Sequence, residues 1–169
     1  MADINTSVLQ FAKRSKGKRI YLKAGKNGTA GQCWDLAEKA LATSGGRTST
    51  TLTPSLSPNA DYIWGAPVAQ LSGVKPGDIL QFKNYKCSWS STKEDGSGGD
   101  FEYTARHHTA IVLSRPANGA VRVLHQNYKG KKNVHESTFQ LSSKAFKNDK
   151  TAFKYSVTGG IKAYRPLKK

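Results

Sequence analysis

The stretch Gly31-Gln32-Cys33-Trp34-Asp35-Leu36-Ala37-Glu38-Lys39-Ala40-Leu41 decides how this chain is read. Counted from Cys33, apolar residues recur at Leu36, Ala37, Ala40 and Leu41, the spacing of one helix face. The preceding Ala24-Gly25-Lys26-Asn27-Gly28-Thr29-Ala30-Gly31 cannot propagate a helix and offers capping residues. Cys33 is therefore expected at a helix N-terminus. There the unpaired backbone N–H groups and the dipole favour an anion, which lowers a thiol pKa and supplies a thiolate. A nucleophile gains from that place, whereas a free cysteine elsewhere is often a small core hydrophobe.

Upstream, Ile4, Val8, Phe11 and Ala12 mark a short amphipathic helix that Ser15-Lys16-Gly17-Lys18 ends, and Ile20-Tyr21-Leu22 reads as extended. Downstream, residues 43–58 are rich in Ser, Thr, Gly and Pro and read as loop. Asp61-Tyr62-Ile63-Trp64-Gly65 is an aromatic patch suited to core packing. Lys75-Pro76-Gly77-Asp78 is a turn before the strand Ile79-Leu80-Gln81-Phe82. Ser88 to Asp100 reads as a polar loop holding Glu94, Asp95 and Asp100, with Glu102 just beyond. His107 to Leu113 leads into a strand, Pro116-Ala117-Asn118-Gly119 turns, and Val121 to His125 pairs back. Val134 to Phe139 is a further strand. Phe153 to Tyr164 supplies the last pieces, broken by Gly159-Gly160, and residues 165–169 form a loose basic tail. Helix first and mostly antiparallel sheet after it: the expectation is α+β, one domain over 1–169.

The 27 Lys+Arg against 11 Asp+Glu give a formal charge of +16. That suits a polyanionic partner, whether nucleic acid, an anionic cell-envelope polymer or acidic lipid, or else a solvated basic surface. No apolar run is long enough to span a bilayer as a helix, and the first residues do not read as a cleavable signal peptide. The chain is thus expected either in the cytoplasm or exported by a dedicated, leaderless route. Two cysteines, Cys33 and Cys87, are too few for a disulfide scaffold, and Cys87 is expected free and partly buried. Asp95 and Asp100 are weak candidates for a divalent cation, lacking EF-hand spacing.

A thiolate nucleophile needs a base, and the base an orienting group. Adjacent His107 and His108 point to opposite faces of their strand. If the face shared with Ala110 and Val112 packs on the helix, His108 is the base and His107 faces solvent. His125 and Asn127 lie on one face of the paired strand, and either would orient His108.

These blocks look familiar together. Gly31-Gln32-Cys33-Trp34, Tyr62-Ile63-Trp64-Gly65, Lys75 to Phe82, His108-Thr109-Ala110-Ile111-Val112 and His125-Gln126-Asn127 resemble, in order, CHAP- and NlpC-type hydrolases of the papain-like superfamily. The resemblance is closer still to the bacterial toxin-like cysteine protease branch and its fungal relatives. It implies a papain-like fold, an N-terminal helix carrying Cys33 on a sheet carrying His108, with Cys33 as nucleophile and His108 as base. Asn127 would correspond to the orienting residue; CHAP domains carry Glu where this chain has His125, and NlpC-type enzymes use a histidine as third member. The backbone N–H of Cys33 is the natural oxyanion donor, with Gln32 second.

Three functions follow. The first is a secreted toxin-like cysteine hydrolase of a peptide or peptidoglycan stem, needing no cofactor and matched by an acidic immunity protein. The second is a basic nuclease on the same fold, using histidines and a divalent cation. The third is a non-enzymatic binding module.

Overall fold

A computed structural model describes residues 3–22, 31–57 and 60–169. The proposed capping run over 24–30 lies outside the described residues. Helix α1 spans Ile4–Arg14, α2 Cys33–Thr43, and a one-turn α3 Ser49–Leu52 interrupts the stretch read as loop. The strands are β1 (Ala66–Pro67), β2 (Ile79–Lys93), β3 (Gly98–Val112), β4 (Ala120–His125), β5 (His135–Gln140), β6 (Lys144–Asn148) and β7 (Thr151–Arg165). They form one antiparallel sheet in the order β1-β7-β2-β3-β4-β5, with β6 paired to β7.

The sheet is covered on both sides near its middle, and period-2 alternation divides the core accordingly. On one side Ile79, Ile111, Leu124 and Tyr164 pack against Ile4 and Val8 of α1 and Leu36, Ala40 and Leu41 of α2. On the other, Leu80, Phe82, Ala110, Val112, Val123 and Phe139 form a second core. Leu36 and Leu41 are fully buried, and side chains of that size contribute about 1.5–3 kcal/mol each on burial. These contacts, more than helix propensity, fix α2 and hence Cys33 on the sheet.

Three expectations are corrected. Ser88 to Asp100 is not a loop but the outer arms of the β2–β3 hairpin, whose turn is closed by Lys93 N–H to Ser97 O at 2.7 Å. Its polar residues alternate with Cys87, Trp89 and Phe101, so the arms pair while one face stays wet. Nor does Gly159-Gly160 break the last strand. A register shift between Lys83 and Lys86 makes room for it: Gly159 adopts φ +86° against Asn84, whose carbonyl oxygen would lie 2.0 Å from any Cβ there. Finally, residues 165–169 are pinned rather than loose. Arg165 bonds buried Asp78, and the backbone of Leu167 and Lys169 pairs with Arg47 and Gly45. Asp78 also collects Asn5 Nδ2 at 2.7 Å and Lys75 N–H at 2.9 Å, locking the turn before β2 to α1 and to the end of β7.

Candidate active site

Cys33 is the first residue of α2, and Gln32 before it is extended, at φ −75° and ψ 169°. Asp35 sits three residues further on, fully buried, and accepts the Gln32 N–H at 2.7 Å and the Leu22 N–H at 3.0 Å. A carboxylate at that position satisfies helix-start donors and complements the dipole. Gln126, just past β4, holds the same segment from the other side. Its Nε2 donates to Gln32 O and Ile20 O, both at 2.8 Å, and its Oε1 accepts Ile20 N–H at 2.9 Å. Asn127 donates its Nδ2 to Gln32 Oε1.

Cys33 and His107 line one cleft of about 620 Å³, whose other walls include Gln32, Trp34, Leu56 and Tyr62. The His107 ring lies 5.1 Å from that of Tyr62. Its Nε2 is 2.5 Å from the Ala60 carbonyl oxygen. A carbonyl only accepts, so Nε2 carries the hydrogen, and in the neutral ring Nδ1 is left as the basic nitrogen.

The expected partner, His108, lies elsewhere. His107 and Thr109 share the helix-facing side of β3 with Ile111, while His108 points with Ala110 and Val112 into the opposite core. It is 4% exposed, its ring 4.9 Å from Tyr128 and 6.2 Å from Phe82. His108 Nε2 meets His125 Nδ1 at 2.7 Å, and His125 Nε2 meets Ser137 Oγ at 2.7 Å. His125 thus does pair with His108, but neither lines the cleft of Cys33. Burial, with help from neighbouring histidines, pushes His108 down to about 3 and His125 to about 2, so both are neutral. Asn127 does not share His125's role either: β4 ends at His125, and Asn127 turns left-handed at φ 54°, which breaks the alternation.

The thiol also departs from expectation. Burial pushes Cys33 up from an ordinary thiol, and hydrogen bonds from Thr109 and the Trp34 backbone only partly oppose it. Its alkylation by iodoacetamide is therefore expected to keep rising through the alkaline range. A plateau near neutrality in a pH-rate series would show a pre-formed thiolate instead.

Asp95 accepts the Ser97 N–H at 2.9 Å and the Ser97 hydroxyl at 2.5 Å, which makes it a turn cap. Asp100 stands exposed on β3 opposite Ser90. Among the described residues no group of three or more His, Cys, Asp or Glu is placed to hold a metal. Cys87 is free and fully buried. Sequence reading passed over Gln126, Thr109 and the Ala60 carbonyl; Gln126 and Thr109, polar residues inside matched blocks, carried a signal, and the Ala60 carbonyl carried none.

Over residues 2–169 the chain matches the family described as the AIM3/BBC1 Cysteine proteinase-fold domain. This supports a papain-like cysteine protease type of fold and does not extend to the CHAP, NlpC or bacterial toxin branch. The curated proteins and the solved structures gave no match.

Proposed function

The chain belongs to the AIM3/BBC1 cysteine proteinase-fold domain family, and we propose that it is a thiol hydrolase of amide bonds with Cys33 as nucleophile and His107 as general base. The observation that carries this is the shared cleft, with the Ala60 carbonyl holding His107 so that Nδ1 is the basic nitrogen. His107 replaces His108 in the role the resemblance implied, because it is the histidine on the side of the sheet that α2 covers.

A resting neutral thiol sets the order of events. Nδ1 of His107 takes the Cys33 proton as Sγ attacks the amide carbonyl, then delivers it to the leaving amine. Water, deprotonated by the same nitrogen, resolves the thioester. The carbonyl oxygen becomes an oxyanion beside the Cys33 N–H, a helix-start donor. Gln32 adds a second donor: with Oε1 committed to Asn127, its Nε2 is the group left for substrate. Trp34, Leu56 and Tyr62 offer apolar walls, which favours a peptide or isopeptide with an apolar side chain beside the cut bond. An acidic inhibitor and leaderless export would accompany a toxin role; the family match carries neither, and neither is part of the proposal.

The test is hydrolysis of a fluorogenic peptide library with an apolar position scanned. Wild type is expected to cleave, to be unaffected by EDTA, and to lose activity in Cys33→Ala. Activity on plasmid DNA that EDTA abolishes and Cys33→Ala retains would replace the hydrolase with a metal-dependent nuclease.

A further inference from the structure

The outer half of the sheet carries a feature the cleft does not use. On the side away from α2, the alternating residues of β2 are Tyr85, Cys87 and Trp89, and β3 adds Phe101 and Tyr103. β7 adds Phe153 and Tyr155, and β6 adds Phe146. Five of these rings form an unbroken row. From Tyr103 to Phe101 the centroids are 5.9 Å apart, from Phe101 to Trp89 5.3 Å, from Trp89 to Phe153 6.2 Å, and from Phe153 to Phe146 5.0 Å. The row crosses four strands. Phe101 is 51% and Phe146 44% exposed, among the largest apolar exposures in the described residues.

A lysine stands at each end. Lys129 Nζ lies 4.8 Å from the Tyr103 ring centre, and Lys144 Nζ 5.1 Å from that of Phe146. The acidic residues of β3 are kept off this surface: Asp100 and Glu102 alternate with Phe101 and Tyr103, so both project from the opposite face. Glu102 is held there by Lys86 at 2.8 Å. Beside Tyr103 the surface dips into a hollow of about 460 Å³ walled by Phe101, Tyr128, Lys131 and Tyr155.

We propose that this aromatic face binds a single-stranded nucleic acid, bases stacked along the ring row and phosphates drawn to Lys129, Lys131 and Lys144. Every base has a π-face, so a row of rings accepts successive bases without reading sequence. Lysines at ring height supply the phosphate attraction that dominates nucleic-acid affinity. A proline-rich peptide would use the rings but leave the cations unmatched. A duplex keeps its bases stacked internally and would use the cations but not the rings. Against a chain of formal charge +16, the anionic strand is the partner that uses both.

Fluorescence anisotropy of labelled (dT)12, (rU)12 and a 12-base-pair duplex tests this on the full chain. Both single strands are expected to bind at least tenfold tighter than the duplex. Phe101→Leu and Phe146→Leu, exposed positions that keep apolar bulk, should each weaken single-strand binding by about fivefold or more. Phe101→Trp should retain it. Lys129→Gln should reduce the slope of log affinity against log salt by about 0.7. Equal binding of duplex and single strand, indifferent to Phe101→Leu, would overturn the proposal in favour of charge alone. So would a proline-rich peptide that displaces the oligonucleotide, or a dimer in sedimentation that Phe101→Leu dissolves.

Discussion

His107→Ala is expected to lower kcat/KM on the cleaved peptide by about 10²–10⁴, the usual contribution of a positioned general base, while His108→Gln stays within a few-fold of wild type. The contrast follows from the two faces of β3. Removing the His107 imidazole leaves a half-buried thiol, already pushed above its ordinary value, without a group to take its proton. A thousandfold loss corresponds to about 4 kcal/mol of transition-state stabilisation. The double variant Cys33→Ala with His107→Ala should be no worse than Cys33→Ala alone, since nucleophile and base act as a unit. His108→Gln keeps a polar group beside His125 in the far core and touches nothing in the cleft. Steady-state kinetics with circular dichroism as a folding control reads all four variants against wild type. A folded His108→Gln enzyme that has lost activity would move the base to His108 and sink the assignment.

The same strand shows where sequence reading stops. The helical period at Cys33–Leu41 was strong because α2 has one buried face and lies on the sheet by it. In β3, by contrast, Thr109 and Ile111 are as buried as Ala110 and Val112. A strand covered on both sides has no wet face to break the tie, so periodicity cannot say which histidine meets the helix. A different failure hid the long hairpin. Ser, Thr and Gly over 88–100 have loop composition, yet Tyr85, Cys87 and Trp89 alternate with Lys86, Ser88 and Ser90 at period 2. That alternation was present in the sequence and was outweighed by composition. Asn127 was unreadable in another way: its left-handed backbone lies just past the end of β4, and no residue pattern announced that the alternation ends there.

Acid is expected to destabilise this protein from about pH 6.5 downward, starting before its carboxylates are protonated. Burial pushes His108 down to about 3 and His125 down to about 2, against about 6.5 in an unfolded chain. Below 6.5 the unfolded state takes up two protons that the native state refuses, so stability falls as pH falls, down to the native values. Above 6.5 both states are neutral at these sites and the effect vanishes. Two such groups give a slope of about 2.7 kcal/mol per pH unit. For a domain near the lower end of the usual 5–15 kcal/mol, that exhausts stability by about pH 4.5. Glu102 and Glu136 are held below the ordinary carboxylate range by lysine and arginine partners, so the interval from 6.5 to 4.5 belongs to the histidines. His135, its ring 4.4 Å from that of His125, and Lys131 add to the repulsion once either buried ring is charged. Urea titrations followed by tryptophan fluorescence between pH 7.5 and 4.5 should show the full slope in wild type. His125→Gln should show about half of it. An unchanged slope in a folded His108→Gln/His125→Gln double variant would assign acid sensitivity to other groups and remove the buried pair from the account.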